Sequence, residues 1–509
     1  MIRSVLVLGG GSAGLLAAIT LKSRLPQLPV TVLRPKDRGD LWDGEGTTPT
    51  LGFHLHHYCK LDVPTFYHLA QPQWKLGIRF EWGPRPFFNY VFGFELDTQY
   101  GLLPRGTGYY VNDTEAFEAT GNQTGLMNAN KVWLRQPDGF PRLSADEFGH
   151  HLRNDLLVSY LQSVAQQLGI TIIDDEAVEV MRADYGVAGL RTAAHGTLTA
   201  ELFVDASGLR SQLLGETVKE PFISYHDALY CDRAVVGSWD RAEEPIKPYT
   251  TAQTMAAGWC WQLEHEKRID RGYVYSSSFL SAGEAEAEFR ANNPKVKDTR
   301  TVSFRQGRHE RFWVNNVVGI GDAAAFVDPL EATGLAAACV QAQMLAETLA
   351  DCELQPNPST IFNFNRLHAR STDSVRDFLA VHYRFNSRMD TPFWRECRGQ
   401  VALHGAEAIV EYFQANGPSV LARRCLLDQA GLQEYGMEGY LALLVGQSVP
   451  YRRPYTPSDL DLHNWARIQQ SVRNKVAGAY TVPEALAMVR SPYWAWPERL
   501  FNRSMAERP

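Results

Sequence analysis

The sequence predicts an α/β fold in which crossover helices join the strands of a parallel sheet. The first observation is a β-α-β pattern at the start of the chain. An apolar run at Val5–Leu8 ends in glycines, residues 14–22 show the helical spacing of Leu and Ala, and residues 30–33 form a second apolar run. The second observation is that both patterns recur, with strand-like runs at 171–173, 202–204 and 317–320 and helical patterns at 154–168 and 335–350. Such alternation is typical of a parallel sheet covered by helices.

Two later regions are predicted to differ from this pattern. Residues from about 228 to 304 contain alternating stretches, such as residues 272–278, that indicate an antiparallel sheet. Helical spacing dominates from about residue 356 onward and indicates a helical C-terminal region. We therefore expect a first domain of residues 1–355, with the antiparallel sheet inserted in it, and a helical region of residues 356–509.

Composition and charge exclude several classes of function. The chain has 509 residues, 45% of them apolar, so it can bury a large core. Its 50 Lys and Arg against 57 Asp and Glu give a net charge of −7, and a chain without a basic footprint is not expected to bind nucleic acid. The 7 cysteines are scattered without a C-x-x-C pair, so neither a disulfide framework nor a metal site is predicted. Since no apolar run in the sequence reaches the roughly 18 residues of a membrane span, we expect a soluble, cytoplasmic protein that does not use a membrane.

A glycine-rich segment between the first strand and the first helix is the candidate nucleotide site. Residues 9–14 read G-G-G-S-A-G and fit the pattern G-x-G-x-x-G. Glycine lets the backbone approach a pyrophosphate, and the helix N-terminus stabilises its charge; the alternative is a glycine-rich turn without a ligand. The residues predicted to bind are Gly9, Gly11, Ser12, Ala13 and Gly14. The usual acidic residue at the end of the second strand is missing, and Arg34 there either contacts a nucleotide phosphate or is an ordinary solvated arginine.

Two later segments follow apolar strands and carry a second set of motifs. They read D-A-S-G at residues 205–208 and G-I-G-D-A-A at residues 319–324. Both are similar to motifs of FAD-dependent monooxygenases and reductases, which implies FAD as the cofactor, with Asp205, Gly321 and Asp322 among the residues that bind it. The resemblance assigns Asp322 to a hydrogen bond with the ribityl chain, and the alternative is a turn or N-cap aspartate.

Four further segments occur in order along the chain. They are D-G-E-G-T-T-P at 43–49, W-K-L-G-I-R-F at 74–80, D-P-L-E-A-T-G at 328–334, and D-F-L-A-V-H-Y at 377–383 together with D-T-P-F-W-R at 390–395. With these segments the chain resembles the flavin-dependent halogenases of the tryptophan-halogenase type over nearly its whole length. The resemblance implies an FAD-binding Rossmann-like domain of the glutathione-reductase/hydroxylase type, an antiparallel sheet on the substrate side, and a helical C-terminal region that covers the substrate site.

The same resemblance gives roles to individual residues. Lys75 is expected to hold and polarise hypohalous acid, as a hydrogen-bond donor or as a haloamine, and Glu331 to stabilise the cationic ring intermediate and take its proton. The halide is expected at Thr333 and Gly334, where a helix N-terminus suits an anion. The segment containing Glu45, Gly46 and Thr47 is expected to run along the flavin. The alternatives are a solvated surface lysine, a first-turn glutamate favoured by the helix dipole, and simple helix capping by the threonine.

A tryptophan pair marks another family motif, W-x-W-x-I-P. Here the segment keeps Trp259 and Trp261, which the resemblance assigns to walling the flavin off from the substrate and suppressing hydroxylation. Leu263 replaces isoleucine and Glu264 replaces proline. Because Glu264 removes the fixed φ of proline and adds a charge, we expect the strand to run differently.

These observations predict an FADH2- and O2-dependent halogenase. A separate flavin reductase would supply FADH2, chloride or bromide would be the co-substrate, and the substrate would be a small electron-rich aromatic, indole-like first and phenolic second. Whether the protein is a homodimer is left open. The first alternative is an FAD-dependent aromatic hydroxylase that NAD(P)H reduces directly. The second is a flavin-bound protein without catalysis.

Overall fold

The computed structural model describes residues 1–35, 43–93, 121–418, 432–452, 456–497 and 500–501. The chain forms two compact units, each assembled from three segments. The first unit contains Met1–Pro72, Leu152–His226 and Phe304–Thr372, and the second contains Gln73–His151, Asp227–Ser303 and Asp373–Pro509. The division of the chain between residues 355 and 356 stays a prediction.

The first unit is built on a six-stranded sheet. The order of its strands is Trp313–Val314, Val317–Gly319, Leu202–Asp205, Val5–Leu8, Val30–Arg34 and Thr171–Asp174. All neighbours are parallel except the first pair. The helices Ser12–Arg24, Asn154–Gln167 and Gly334–Asp351 contribute apolar residues to the core that includes this sheet. The predicted parallel sheet with crossover helices is therefore confirmed.

The first unit also contains smaller elements that the sequence pattern does not predict. One three-stranded sheet comprises Ala177–Ala183, Gly186–Thr192 and Thr197–Leu198, and another comprises Phe222–Ser224, Gly307–His309 and Ala325–Phe326. A short strand at Gly44–Gly46 precedes the helical turn Thr50–Gly52, the π-helical turn Phe53–Tyr58 and the helix Val63–Leu69. Further single turns lie at Gly208–Arg210, Gln212–Thr217, Gly321–Ala323 and Pro329–Glu331.

The second unit is built on a seven-stranded sheet. The order of its strands is Thr299–Ser303, Arg233–Asp240, Arg268–Tyr275, Gly258–Glu264, Thr250–Met255, Gly77–Glu81 and Phe88–Val91. Every neighbouring pair is antiparallel except Thr250–Met255 with Gly77–Glu81. The antiparallel sheet predicted for about 228–304 is confirmed, and two strands from an earlier part of the chain extend it. The helix Ala282–Asn292 covers part of one face through an apolar cluster.

Helices dominate the C-terminal part of the chain. They are Pro358–Phe385, Pro392–Gln400, Glu407–Asn416, Leu432–Gly446, Asp459–Ala477 and Val482–Val489. This confirms the predicted helical region. Earlier in the second unit lie the helix Asn122–Asn128 and the strands Gln73–Lys75, Lys131–Trp133 and Gly149–Arg153, the last continuing into the first unit. Within the part of the chain that the structure describes, no helix combines the length and the apolar character that crossing a membrane requires.

Candidate active site

The glycine-rich turn after the first strand is tightly packed on one side and open on the other. Gly9 has a φ of +125°, and a Cβ atom there would lie 2.1 Å from the carbonyl oxygen of Ala206, so only glycine fits. A Cβ atom on Gly14 would lie 2.0 Å from the carbonyl oxygen of Gly9. A Cβ atom on Gly11, by contrast, would meet no atom of the described residues within 4 Å. The turn therefore leaves free space in front of Gly11.

The helix that follows this turn begins in a way that suits an anion. Ser12 and Ala13 open the helix, and Gly11 at the N-cap provides no side-chain hydrogen bond. The first backbone N–H groups of the helix are therefore not capped by that residue and lie at the positive end of the helix dipole. This arrangement and the open space at Gly11 fit the pyrophosphate of a dinucleotide such as FAD.

Arg34 ends the second strand and is tied to the strand beside it. Its Nε atom donates a hydrogen bond of 2.5 Å to Oδ1 of Asp174, its register partner in the neighbouring strand. Its side chain also lies against Gly10, where a Cβ atom would be 2.5 Å from the Cβ atom of Arg34. Arg34 is therefore half-buried and ion-paired and is not an ordinary solvated arginine. Its contact with a nucleotide phosphate stays a prediction.

Asp205 is fully buried at the end of the strand Leu202–Asp205. Its Oδ1 atom accepts hydrogen bonds from the hydroxyl and the backbone N–H of Ser207, at 2.6 and 3.1 Å. Its Oδ2 atom accepts from the backbone N–H groups of Leu213 and Leu214, at 2.7 and 2.8 Å. The carboxylate thus holds the following loop in place, and its contact with a cofactor stays a prediction.

Asp322 lies in the short turn Gly321–Ala323. Gly321 has a φ of +64°, and its backbone N–H donates a hydrogen bond of 2.7 Å to the side-chain oxygen of Gln341. Desolvation raises the pKa of Asp322 to about 6, and no hydrogen bond or charge from the described residues contributes to this shift. A carboxyl group that is desolvated without a compensating partner fits a ligand hydroxyl, as the ribityl chain of FAD would provide.

The segment expected to run along the flavin forms a short strand followed by a helical turn. Glu45 and Gly46 belong to the strand Gly44–Gly46, and Thr47 directly after it is fully buried. The hydroxyl oxygen of Thr48 is buried and makes no hydrogen bond within the described part of the chain. A buried hydroxyl without a partner is costly unless a ligand or water satisfies it.

Glu331 and Thr333 lie where a short turn leads into the helix Gly334–Asp351. Glu331 is buried and ends the turn Pro329–Glu331, and Ala332 adopts a left-handed conformation with a φ of +57°. The Thr333 hydroxyl makes no capping hydrogen bond, so the interpretation that its side chain caps this helix is wrong. Within the part of the chain that the structure describes, a Cβ atom on Gly334 would meet nothing within 4 Å. The first turn of the helix therefore starts beside free space, as an anion site requires.

Lys75 is the last residue of the strand Gln73–Lys75 in the second unit. Its exposed fraction is 0%, so the interpretation of Lys75 as a solvated surface lysine is wrong. Its Nζ atom lies 5.2 Å from the centroid of the Phe92 ring, within reach of a cation–π interaction. Its register partner Gly149 has no side chain on the face that the two residues share.

His151 belongs to the same pair of strands and has a fixed protonation state. Burial and the charge of Lys75 hold the pKa of His151 well below its usual range, so the imidazole is neutral at pH 7. Its Nδ1 atom accepts a hydrogen bond of 3.3 Å from the backbone N–H of Glu264, and therefore Nε2 carries the proton. Nε2 then donates to the hydroxyl of Thr250 at 2.8 Å. No motif in the sequence points to this histidine.

Trp259 and Trp261 lie on one face of the strand Gly258–Glu264. Both side chains are buried, and their ring centroids are 5.9 Å apart with an interplanar angle of 56°. Residues two apart in a strand point to the same face, so the two rings form a continuous aromatic surface. Their separation of flavin from substrate stays a prediction.

Glu264, which replaces the proline of the family motif, lies within a regular strand. Its register partner is Ile269, so antiparallel pairing continues to the end of the strand. Its carboxylate accepts a hydrogen bond from Arg241 and another, of 2.6 Å, from the side-chain amide of Gln262. The exposed fractions of the Arg241 and Glu264 side chains are 5% and 0%. The charge is therefore paired inside the protein.

We expect that Arg241→Met will destabilise the protein by about 3–5 kcal/mol, because it leaves the Glu264 carboxylate buried without its counter-charge. The free energy of unfolding, measured with denaturant, checks this. The double variant Arg241→Met/Glu264→Gln removes the uncompensated charge and should recover part of the loss. Equal destabilisation in the single and double variants would show that the charge pair does not stabilise the protein. The whole loss would then come from the hydrogen bonds of Arg241 to backbone carbonyls.

The structure places the predicted residues in two groups. The first unit holds the glycine-rich turn, Asp322, Glu331 and the start of the helix at Gly334, and the second unit holds Lys75 and the two tryptophans. Asp174, the partner of Arg34, and Gln341, the partner of Gly321, support the first group. Neither residue was predicted from the sequence. A signal existed for Asp174, since it directly follows the apolar run at 171–173. No pattern in the sequence indicates the hydrogen bond between Gln341 and Gly321.

Comparison with known proteins gives the family. The model of the tryptophan halogenase family matches residues 4–456. The tryptophan 7-halogenase KtzQ of Kutzneria sp. (strain 744) is 32% identical over 447 residues, covering 82% of this chain and 82% of that protein. The crystal structure of MibH, a lanthipeptide tryptophan 5-halogenase, is 34% identical with a TM-score of 0.87 and covers 98% of each chain.

The flavin requirement follows from the same comparison. BrvH, a flavin-dependent halogenase from Brevundimonas sp. BAL3, is 27% identical with a TM-score of 0.83, covering 96% of this chain and 99% of that one. The predicted FAD-binding Rossmann-like fold is thereby confirmed, and the family match spans most of the chain. The chain therefore belongs to the tryptophan halogenase family and is a flavin-dependent halogenase.

Proposed function

We propose that this enzyme halogenates an electron-rich aromatic ring, indole-like first and phenolic second, with hypohalous acid that it makes from chloride or bromide. The observation that carries the proposal is the burial of Lys75, whose charged group is held beside the Phe92 ring in a segment similar to the one that bears the family's essential lysine. When bound, reduced FAD together with O2 supplies the oxidising equivalent that converts halide to hypohalous acid. A separate flavin reductase provides FADH2.

The residues that would hold FAD are those whose surroundings fit its parts. The open side of the turn at Gly11 and the start of the helix at Ser12 would bind the pyrophosphate. Asp322, whose pKa desolvation raises, would accept a hydrogen bond from a ribityl hydroxyl. The segment from Glu45 to Thr47 would lie along the flavin ring.

We expect that Gly11→Val will weaken FAD binding at least about tenfold, or about 1.4 kcal/mol, while the protein still folds. Gly11 has an extended backbone with φ −76° and ψ −175°, which valine adopts readily, and the new side chain would fill the space proposed for the pyrophosphate. Titration with FAD measures the affinity. Gly283→Val is the matched control, because a side chain there also meets nothing within 4 Å. Unchanged affinity in Gly11→Val would count against the site.

The halide would bind at the start of the helix Gly334–Asp351. Backbone N–H groups of the first helical turn and the positive dipole end stabilise an anion, and the Thr333 hydroxyl does not cap these groups.

Lys75 would donate a hydrogen bond to the hypohalous acid and so direct the halogen toward the ring. Desolvation strengthens this interaction, since a charge in a buried site polarises a neighbouring bond more than in water. In the substitution itself, the halogen–oxygen bond of the hypohalous acid breaks as the halogen bonds to a ring carbon, and the hydroxide takes a proton from Lys75 and leaves as water. The proton on the halogenated ring carbon passes to the Glu331 carboxylate, and its return to Lys75 restores both groups. Glu331 thus stabilises the cationic intermediate before it takes the proton.

The preference for an indole rests on the relatives. KtzQ acts on tryptophan by its name, and MibH acts on tryptophan in a lanthipeptide. Both names specify tryptophan, which carries an indole ring, and the second name adds a peptide. We therefore rank an indole first among the candidate substrates. The experiment below determines whether the indole belongs to a free amino acid, a peptide or a simple indole.

The test is a screen of free tryptophan, tryptophan-containing peptides, simple indoles and phenols. The purified protein is supplied with FAD, a flavin reductase and NADH, in chloride and in bromide, and products are identified by mass spectrometry. We expect halogenated indole products that require both the reductase and the halide. Direct oxidation of NAD(P)H by the protein without a reductase, accompanied by hydroxylated products, would overturn the proposal.

A further inference from the structure

Gly272 occupies an unfavourable position for a glycine, and its surroundings explain why. It lies in the strand Arg268–Tyr275, which is paired on both sides, with Arg233–Asp240 and with Gly258–Glu264. Glycine inside a strand costs about 0.5–1 kcal/mol relative to alanine, and it often marks a place where another group approaches the backbone closely. The cross-strand partner of Gly272 is Trp261.

The Trp261 ring lies directly against the backbone of Gly272. A Cβ atom on Gly272 would be 1.9 Å from Cζ2 of Trp261 and 2.3 Å from both Cε2 and Cη2. Ordinary contact begins at 3.4 Å, so any side chain at this position would displace the ring by about 1.5 Å. The ring has little room to retreat, because Trp261 is buried and its neighbour Trp259 is fully packed.

The opposite face of the sheet fixes the backbone on which this contact is made. Arg271, the residue before Gly272, donates hydrogen bonds of 2.8 Å to the side-chain oxygen of Gln262 and 2.6 Å to that of Gln253. These three residues come from three adjacent strands of the sheet. The strands are therefore tied together beside the Gly272–Trp261 pair, and an added side chain would move the ring more easily than the backbone.

We propose that Gly272 is a positioning residue for halogenation, which acts by setting the place of the Trp261 ring. The proposal rests on the proposed function and on the role that the family resemblance implies for the two tryptophans, which is to separate the flavin from the substrate. A displaced ring would lower the fraction of FADH2 that yields halogenated product. The remainder would be consumed without substrate, as FADH2 and O2 give FAD and H2O2.

The experiment compares Gly272→Ala, Trp261→Phe and the double variant with the unaltered enzyme. Phenylalanine lacks the second ring that carries Cζ2 and Cη2, so the double variant has room for the alanine. Gly283→Ala is the control, since its side chain meets nothing within 4 Å. The measurements are halogenated product per FADH2 consumed, H2O2 released, FAD affinity, and the near-UV circular dichroism of the tryptophans.

We expect Gly272→Ala to change the near-UV signal and to lower product per FADH2 by about tenfold, within the roughly 10²-fold that a 1 Å misplacement can cost, with FAD affinity unchanged. In the Trp261→Phe background, Gly272→Ala should add no further loss, because it acts through the same ring. If Gly272→Ala does not fold, the comparison of Trp261→Phe with the double variant tests whether Gly272 acts through the Trp261 ring.

Two results would overturn the proposal. One is an unchanged product yield in folded Gly272→Ala, and the other is an additional loss in the double variant relative to Trp261→Phe. The unaltered enzyme, assayed alongside, separates this from a failure of the proposed function. If the unaltered enzyme gives no halogenated product, the function is wrong; if it does and Gly272→Ala matches it, the role of Gly272 is wrong.

Discussion

Lys75→Ala is expected to abolish halogenation, to below about 10⁻³ of the original rate, while FAD still binds. This loss lies at the upper end of the roughly 10²–10³-fold that removing one preorganised donor from a buried site typically costs. FAD affinity should persist because the residues that fit the nucleotide lie in the first unit, whereas Lys75 lies in the second. Product formation by mass spectrometry and a flavin titration measure the two properties.

Two further variants show whether halogenation requires the charge or the volume of the Lys75 side chain. Lys75→Met keeps most of the side-chain volume without the charge and should be equally inactive. Lys295→Ala removes a lysine from the same unit whose side chain is 56% exposed, and it should leave activity unchanged. A folded Lys75→Ala protein with normal activity would show that Lys75 does not deliver the oxidant.

Glu331→Gln is expected to lower turnover by about 10²- to 10⁴-fold, the usual contribution of general-base catalysis. Glutamine keeps the shape of the buried side chain but neither accepts a proton at neutral pH nor balances a positive charge. The effect should appear on indoles and phenols alike, because both rings pass through a cationic intermediate. Hypohalous acid should still form and can be trapped with a soluble halogen acceptor.

The matched control for this variant is Glu347→Gln, in the helix that begins just after Glu331. The Glu347 side chain accepts a hydrogen bond of 2.9 Å from Gln343 and has no proposed role in catalysis. The Glu347→Gln variant should therefore have the same activity as the unaltered enzyme. Intact turnover in Glu331→Gln, with hypohalous acid still formed, would mean that the ring proton goes to another group.

Local patterns in the sequence predicted the framework because each rests on neighbouring residues. The β-α-β unit, for example, follows from an apolar run, glycines and helical spacing within about 33 residues. The hairpin formed by Ala177–Ala183 and Gly186–Thr192 was missed because the first of these strands is mostly exposed and lacks a buried apolar face. A strand without such a face has no periodicity to detect.

In the candidate site, likewise, contacts between residues that are distant in sequence could not be predicted from local patterns. Arg34 and Asp174 are 140 residues apart in sequence, so their ion pair appears only once the two strands are adjacent. The burial of Lys75 could not be predicted from its residue type, since lysine is almost always exposed. Resemblance to a family supplied the candidate instead. The fit of Trp261 over Gly272 likewise depends on strand register, which local patterns do not specify.

A hydrogen bond from flavin to the Asp322 carboxyl group would link folding to flavin binding. Its pKa of about 6 in the folded protein exceeds its ordinary value of 3.8, so the ionised form opposes folding. This penalty is absent below pH 3.8, grows as the pH rises toward 6, and is complete above it. At neutral pH the ligand-free protein therefore carries a destabilising charge that a flavin hydroxyl would relieve. FAD would then act as a folding ligand as well as a cofactor, and a chain that loses its flavin also loses part of its resistance to unfolding.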